Sequence, residues 1–279
     1  TRLRGRINIS KSRYVSDFGS KVGTESNQYS YAIEKDFTTH ITGIFDVYNL
    51  ESSRDFLISS NQTTQEVSIA SLGPTIDIDY RDNPFLPTSG IFARFNLEYA
   101  NPVLGSSDTI EFYKTTGSFT HYLPFHKKWV LAHNVRLGYL ENLNHKENGG
   151  VPYNKRGFIL GGRSTIRGFE IGTQEVIPNN QDLGITDGQA FNLKTSATEF
   201  LFKSEVRFPI YGNFYGGVFY DGGSVYIKNL PFQDNYRDSV GVGLRYNTPV
   251  GALNMEIGKK LDRREGESDV RYHLSFGTF

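Results

Sequence analysis

Hydrophobic and polar residues alternate one by one along most of this chain. In the segment ALNMEIGKK, one side carries Leu253, Met255 and Ile257, and the other side carries Asn254 and Glu256. A period of two residues is typical of β-strands, whose successive side chains point to opposite faces, whereas an amphipathic helix repeats about every 3.6 residues. The helical period is hard to find here, so the pattern predicts an all-β protein.

About twelve segments show this alternation, and each has roughly the 10 residues of a strand that crosses a membrane. The predicted strands lie near residues 1–12, 25–37, 38–50, 64–81, 90–102, 110–124, 128–141, 196–210, 213–227, 238–248, 251–263 and 270–279. Short turns such as NTPVG (247–251) and PIYGN (209–213) separate some of them. Longer polar segments, LESSRDFLISSNQTTQE (50–66) and KLDRREGESD (260–269), separate others. This alternation of short turns and long loops is typical of an outer-membrane barrel.

The polar side of these strands is too highly charged for the core of a soluble protein. It carries Arg2, Arg4, Arg6, Asp77, Asp79, Arg81, Arg94, Glu98, Arg136, Lys203, Glu205, Arg207, Asp221, Arg245 and Glu256. The alternation alone does not say which face points inward. A closed barrel leaves no strand edge unpaired in hydrocarbon, and its interior accepts charges. We therefore predict a transmembrane antiparallel β-barrel rather than a soluble β-sandwich or a lipocalin-like barrel.

Composition narrows the function classes. The 17 Tyr and 21 Phe residues suit aromatic girdles at the two membrane interfaces. The net charge of zero argues against a nucleic-acid binder, which needs a basic face. The absence of Cys excludes disulfide frameworks and thiolate metal sites. No run approaches the roughly 18 apolar residues of a membrane helix.

The glycine-rich segment GGRSTIRGF (161–169) lies in an exceptionally long connection, at about residues 142–195. A connection of this length in a compact fold is usually functional or disordered. The segment matches neither G-x-G-x-x-G nor G-x-x-x-x-G-K-[ST], and no helix pattern follows it, so we do not interpret it as a phosphate-binding loop.

Two other kinds of site find little support. A hydrolase needs a Ser activated by a nearby His, but no G-x-S-x-G elbow occurs. The histidines available for such a role or for metal binding are His121, His126, His133 and His273. The segment HYLPFH (121–126) is interpreted as a Pro-containing turn without a third metal ligand.

The cluster of acidic and basic residues at 77–82 lacks the Gly and Glu of a calcium loop. We interpret it as charge pairing on the inner wall, followed by a turn that begins at Asp82.

Several motifs, in this order along the chain, resemble the BamA/TamA-type outer-membrane assembly superfamily. GGRSTIRGF is similar to the motif of that family's sixth extracellular loop, and PTIDIDYRDNPFLPTSGIFARF (74–95) is similar to a characteristic strand pair. FKSEVRFPI, VFYDGGSVY and GVGLRYNTPVGALNMEIGKKL resemble its last strands. The chain ends in YHLSFGTF, which resembles the family's C-terminal strand signal; its positions are Tyr272, Leu274, Phe276 and Phe279.

The resemblance implies specific roles for the loop residues. The loop-six motif comprises Gly161, Gly162, Ile166, Arg167, Gly168 and Phe169. In the family the loop folds back into the barrel and its arginine contacts acidic residues of the wall, which correspond here to Glu205 and Asp221. A guanidinium forms directional, charge-assisted hydrogen bonds with carboxylates, and glycines let the backbone turn sharply. We therefore expect one barrel domain, 1–279, with a lumen-directed loop at about 142–195.

The function implied is that of an outer-membrane protein assembly or insertion factor, which is not an enzyme and uses no cofactor, metal or nucleotide. Its expected location is the outer membrane of a Gram-negative bacterium. Its expected partners are the lipid bilayer, unfolded outer-membrane client proteins and periplasmic POTRA domains or accessory lipoproteins, with no nucleic acid. Family barrels have sixteen strands, of which this chain supplies the last twelve. Alternatives are a two-partner-secretion translocator, the barrel of a patatin-like autotransporter, a passive porin and an outer-membrane phospholipase.

Overall fold

The computed structural model describes residues 3–15, 22–57, 63–126, 128–170, 191–229, 236–248 and 251–276. Apart from a one-turn helix, α1 (Tyr153–Arg156), and a 3-10 turn (Pro102–Leu104), the regular elements are β-strands. The strands are β1 (Leu3–Val15), β2 (Val22–Asp36), β3 (Ile41–Leu57), β4 (Thr63–Asp79), β5 (Gly90–Ala100), β6 (Phe112–His126), β7 (Trp129–Asn142), β8 (Val151–Pro152), β9 (Asn192–Leu193), β10 (Ser196–Tyr211), β11 (Phe214–Ile227), β12 (Arg237–Thr248), β13 (Gly251–Lys260) and β14 (Val270–Phe276). The predicted all-β class is confirmed.

Twelve of the strands form one antiparallel sheet in which each strand pairs with its neighbours in the chain. In the part of the chain that the structure describes, the sheet steps over intervening strands from β7 to β10, because β8 and β9 pair separately within the long connection. Within the described residues no pairing joins β1 to β14, so both are edge strands. The twelve-stranded antiparallel meander is the wall of an outer-membrane type of barrel, as predicted.

The burial of side chains on the two faces of the sheet shows which face points inward, which the alternation alone does not. Phe95, Leu137 and Met255 are exposed on the outer face, whereas Glu205 and Asp221 are almost fully buried on the opposite, inner face. Apolar side chains therefore point out and charged side chains point in, which is the reverse of a soluble protein and the expected arrangement for a wall in lipid. Among the described residues, no helix has both the length and the apolar character needed to cross a membrane.

The long connection packs onto the inner face through an apolar cluster. Its residues in this cluster include Tyr153, Phe158, Leu160, Ile166 and Phe169, each at most 3% exposed. They contact inward-facing apolar residues of several strands, including Phe112, Leu140, Leu201 and Val225. Burial of one such large side chain contributes roughly 1.5–3 kcal/mol. Hydrophobic burial therefore attaches this part of the loop to the wall independently of the charged contacts.

Two sequence-based predictions were wrong in detail. The polar segment 50–66 was predicted to be a loop, but β3 extends to Leu57 and β4 begins at Thr63. HYLPFH was interpreted as a turn, but it lies in β6, where an irregularity between Pro124 and His126 shifts the pairing. A strand that extends beyond the membrane carries polar residues on both faces, so the sequence of segment 50–66 resembles that of a loop. In HYLPFH a bulge accommodates the proline within the strand, so the proline does not mark a turn.

Candidate functional site

The segment 161–169 folds into a compact turn against the inner face. Gly161 and Gly162 have φ values of 108° and 83°, a region that L-residues with a Cβ rarely occupy. The Gly162 amide donates to the Phe169 carbonyl at 2.7 Å, and the Thr165 hydroxyl donates to the Gly161 carbonyl at 2.7 Å. These bonds close the turn and hold Arg167 at its tip.

Glycines on both sides let the loop backbone approach the wall. A Cβ on Gly168 would lie 2.5 Å from the Cβ of Ser239 in β12. A Cβ on Gly258 of β13 would lie 2.5 Å from the carbonyl oxygen of Arg167. Both distances are too short for real side chains, so glycine is required at each position for the loop and the sheet to meet this closely.

Arg167 is 1% exposed and binds three carboxylates. Its Nε and Nη2 donate to the two oxygens of Asp221 at 2.7 and 2.8 Å, which is a bidentate pair. Its Nη1 donates to Glu205 and to Glu256, each at 2.8 Å. The guanidinium also lies over the ring of Phe219, 3.5 Å from its centroid. The contacts of Arg167 depend on the charge, the planarity and the stacking of its guanidinium, a combination that lysine lacks.

The dipeptide Arg167–Gly168 contacts one residue from each of the five last strands of the sheet. Besides the three carboxylates, the Gly168 amide donates to the hydroxyl of Ser239 at 3.1 Å, and His273 donates to the Arg167 carbonyl at 2.7 Å. The five residues are Glu205 in β10, Asp221 in β11, Ser239 in β12, Glu256 in β13 and His273 in β14. We call this set the five-strand clamp. It links the loop to the edge strand β14 as well as to the interior strands.

A second arginine of the same connection binds a different part of the wall. Arg156, at the end of α1, donates from Nη1 to Glu51 of β3 at 2.8 Å and from Nε to Glu98 of β5 at 3.0 Å. Lys114 of β6 donates to the Arg156 carbonyl at 2.8 Å and lies over the ring of Phe158. We call this set the Arg156 clamp. The connection is thus held by charge at two places, on β3–β6 and on β10–β14.

A profile of the Omp85 superfamily domain matches residues 5–279. The chain belongs to the Omp85 superfamily. This confirms the family predicted from the motifs.

Curated relatives of this Omp85 chain carry the name outer membrane protein assembly factor BamA. The protein from Nitratidesulfovibrio vulgaris is 28% identical over 243 residues, which is 84% of this chain and 28% of the relative. The protein from Neorickettsia risticii is 26% identical over 272 residues, which is 92% of this chain and 33% of the relative. The chain therefore spans about a third or less of the length of these relatives. The predicted outer-membrane location is confirmed by this kinship.

Two solved structures share the fold. BamA from Haemophilus ducreyi lacking POTRA domains 1–3 superposes with a TM-score of 0.71 at 17% identity, over 99% of this chain and 59% of that one. CdiB from Acinetobacter baumannii gives a TM-score of 0.60 at 14% identity, over 99% of this chain and 47% of that one. At these identities the likeness concerns the fold alone, and it supports the barrel architecture.

The structure brings together most of the residues that the sequence singled out in this Omp85 chain. Arg167 lies against Glu205 and Asp221, and Ile166 and Phe169 are fully buried beside it. Tyr272, Leu274 and Phe276 lie on the outer face of β14, away from the clamp, whereas Phe279 lies outside the described residues.

The sequence analysis missed three members of the five-strand clamp and the whole Arg156 clamp. Glu256 was assigned to the polar face by alternation, yet nothing in its spacing indicated that it would meet Arg167. Ser239 and His273 bind the loop backbone, for which a sequence carries no signal. Glu51 was interpreted as part of a loop, and it lies in β3.

The charges of the inner-wall cluster pair with one another. Asp79 binds Arg81 at 2.7 Å and Asp77 binds Arg94 at 2.6 Å. Asp82 accepts hydrogen bonds from Thr88 and Ser89, which stabilises the β4–β5 turn. Burial raises the pKa of Asp82, but these hydrogen bonds outweigh it and lower the pKa below its usual value. Among the described residues, no group of three His, Cys, Asp or Glu side chains could hold a metal ion.

Proposed function

We propose that this chain is the barrel of an outer-membrane assembly factor, which folds or inserts other outer-membrane proteins without enzymatic chemistry or a nucleotide. The observation that carries the proposal is the five-strand clamp, because it ties an inward-folded loop to the edge strand β14 through His273. The relatives named as assembly factors support it. Their greater length means that partners such as POTRA domains or accessory lipoproteins belong to this proposal as well.

The mechanism we propose is templating at the sheet edge. Strand β14 has one neighbour, β13, within the described residues, so its other side can offer main-chain donors and acceptors to a client strand. A template must keep its register while the client pairs. The contact of His273 with the loop, together with the ion pair of Arg271 with Glu170 at 2.6 Å, supports β14 from inside.

The interior favours assembly over a passive pore. Apolar residues of the loop, together with Arg156 and Arg167, occupy the inner face at β3–β6 and at β10–β14. A steadily conducting porin needs a water-filled lumen at these positions. A phospholipase needs a Ser activated by His, and His273 is instead engaged with the loop carbonyl.

The test uses the purified chain refolded in lipid vesicles. An unfolded outer-membrane barrel that resists heat-induced unfolding once folded serves as the client, and its folded fraction is followed by gel shift. We expect faster client folding than in empty vesicles or in vesicles with an unrelated barrel. Equal rates would overturn the proposal. Steady ion conductance without any folding effect would indicate a porin, and release of fatty acid would indicate a lipase.

A further inference from the structure

A cavity of about 410 Å³ lies at the end of the sheet where the short turns are. It is lined by the β4–β5 turn, including Leu86, by the β6–β7 turn, including Lys128 and Trp129, and by the inner faces of β10 and β12. This end is opposite to the one from which the long connection enters. The cavity is thus separate from the five-strand clamp, although the two share a wall.

The lining of this cavity is basic. Among the described residues that form it are Lys128, Arg207 and Arg245, and none of them is acidic. The nearest neutralising group is Glu205, whose Oε1 accepts from Arg207 at 3.0 Å and from Arg245 at 2.8 Å. The other oxygen of Glu205 is bound by Arg167. Arg207 and Arg245 therefore share one carboxylate oxygen, and with Lys128 they give the cavity a positively charged lining.

Arg245 has capacity for a further partner. It is 9% exposed, and within the described residues its side chain makes one hydrogen bond, from Nη2 to Glu205. A guanidinium carries five N–H groups, and buried ones need acceptors. The cavity thus combines a guanidinium that can donate further hydrogen bonds with apolar surface from Leu86 and Trp129.

We propose that this cavity binds a carboxylate attached to an apolar group, as found on a polypeptide. The carboxylate would bind Arg245 and Arg207, with Lys128 at the rim, and the apolar part would pack on Leu86 and Trp129. Two groups of a polypeptide share this chemistry, namely the C-terminal carboxylate of an aromatic residue and the side-chain carboxylate of Asp or Glu. The site is independent of the proposed assembly function, since a translocator or a porin could also use it.

The binding test exploits Trp129, the one tryptophan of the chain, as a local fluorescent reporter. The full chain in a non-ionic detergent is titrated with N-acetylphenylalanine, N-acetylphenylalanine amide and N-acetylglutamic acid α-amide. We expect saturable binding of N-acetylphenylalanine and roughly tenfold to a hundredfold weaker binding of its amide, which lacks the charge. Tight binding of the glutamic acid derivative would assign the site to side-chain carboxylates.

Substitutions locate the site. Arg245→Gln should weaken N-acetylphenylalanine at least tenfold, and Lys128→Gln, at an exposed position, should weaken it less and reduce its dependence on salt. Arg94→Gln is the matched control, because Arg94 pairs with Asp77 away from the cavity. Equal binding of acid and amide, no saturable binding, or an equal loss in Arg94→Gln would overturn the proposal. If Arg245→Gln does not fold, unchanged affinity in Lys128→Gln would overturn it.

Discussion

The two arginine clamps use the same chemistry in different surroundings. Arg167 is 1% exposed, and its carboxylate partners are at most 5% exposed. Arg156 is 11% exposed, and its partners Glu51 and Glu98 are each 20% exposed. A buried pair adds little net stability but costs several kcal/mol when one partner is removed, whereas a solvated pair contributes roughly 0–1 kcal/mol. The contrast indicates a stronger attachment at Arg167 and a weaker one at Arg156.

The difference also divides the sheet into two parts. The five-strand clamp holds the loop to β10–β14, and the Arg156 clamp holds it to β3–β6. If both were equally strong, the loop would lock the two parts together. With one weaker clamp, we expect the loop to stay with β10–β14, while the apolar cluster is its main attachment to the earlier strands. Three substitutions test this comparison.

The largest effect is expected for Arg167→Ala. It leaves Glu205, Asp221 and Glu256 as buried carboxylates without their shared cation, a loss of roughly 3–5 kcal/mol in the free energy of unfolding. Urea unfolding in lipid vesicles measures this loss. Amide exchange in the segment 158–170 should accelerate, since the turn loses its anchor. We also expect slower client folding.

Arg94→Ala provides the control for this experiment. Arg94 forms a comparable bidentate pair with Asp77, but its side chain is 52% exposed, so its removal should cost less than about 1 kcal/mol. Normal client insertion by Arg167→Ala at normal abundance, with unchanged exchange in the loop, would contradict a role of the clamp in function.

A smaller effect is expected for Gly168→Ala, which keeps every charge of the clamp. The added Cβ collides with Ser239, so the loop must retreat from β12, at a cost of roughly 1–3 kcal/mol. The hydrogen bond from the Gly168 amide to Ser239 should be lost, which amide exchange at Gly168 reports. Gly117→Ala is the control, because a Cβ there meets only a ring atom of Phe95 at 4.0 Å. Equal exchange at Gly168 in the variant and the wild type would show that the close approach is unimportant.

The sequence predicted the wall well because period two is a local property. Each strand is specified by its own residues, and sequential antiparallel pairing needs no information about distant segments. Even Glu205, Asp221 and Glu256 were assigned to one face by alternation. What alternation cannot supply is the curvature of the sheet and the path of the loop, which bring Glu256 to Arg167 across 89 residues.

The Arg156 clamp shows where prediction from sequence stops. Irregular pairing between Asp46 and Asn49 changes which side chains of β3 face inward, and Glu51 lies just after it. A local reading of polar residues 50–66 therefore indicated a loop instead of a strand with an inward carboxylate. Arg156 itself lies in NKR, a sequence common on any surface, so its contact with Glu98 emerges only from the tertiary structure.

The smallest effect is expected for Arg156→Gln, and this variant tests most directly whether the two clamps act independently. Removal of this cation, which is 11% exposed, should lower the free energy of unfolding by about 1 kcal/mol and leave exchange at Gly162 and Phe169 unchanged. Exchange in 153–158 should accelerate alone, since the five-strand clamp still holds the rest of the loop. Arg54→Gln is the control, because Arg54 is 39% exposed and pairs with Glu25 rather than with the loop. If Arg156→Gln instead loosened 158–170 as much as Arg167→Ala, the two clamps would be one cooperative unit, and the loop would lock β3–β6 to β10–β14.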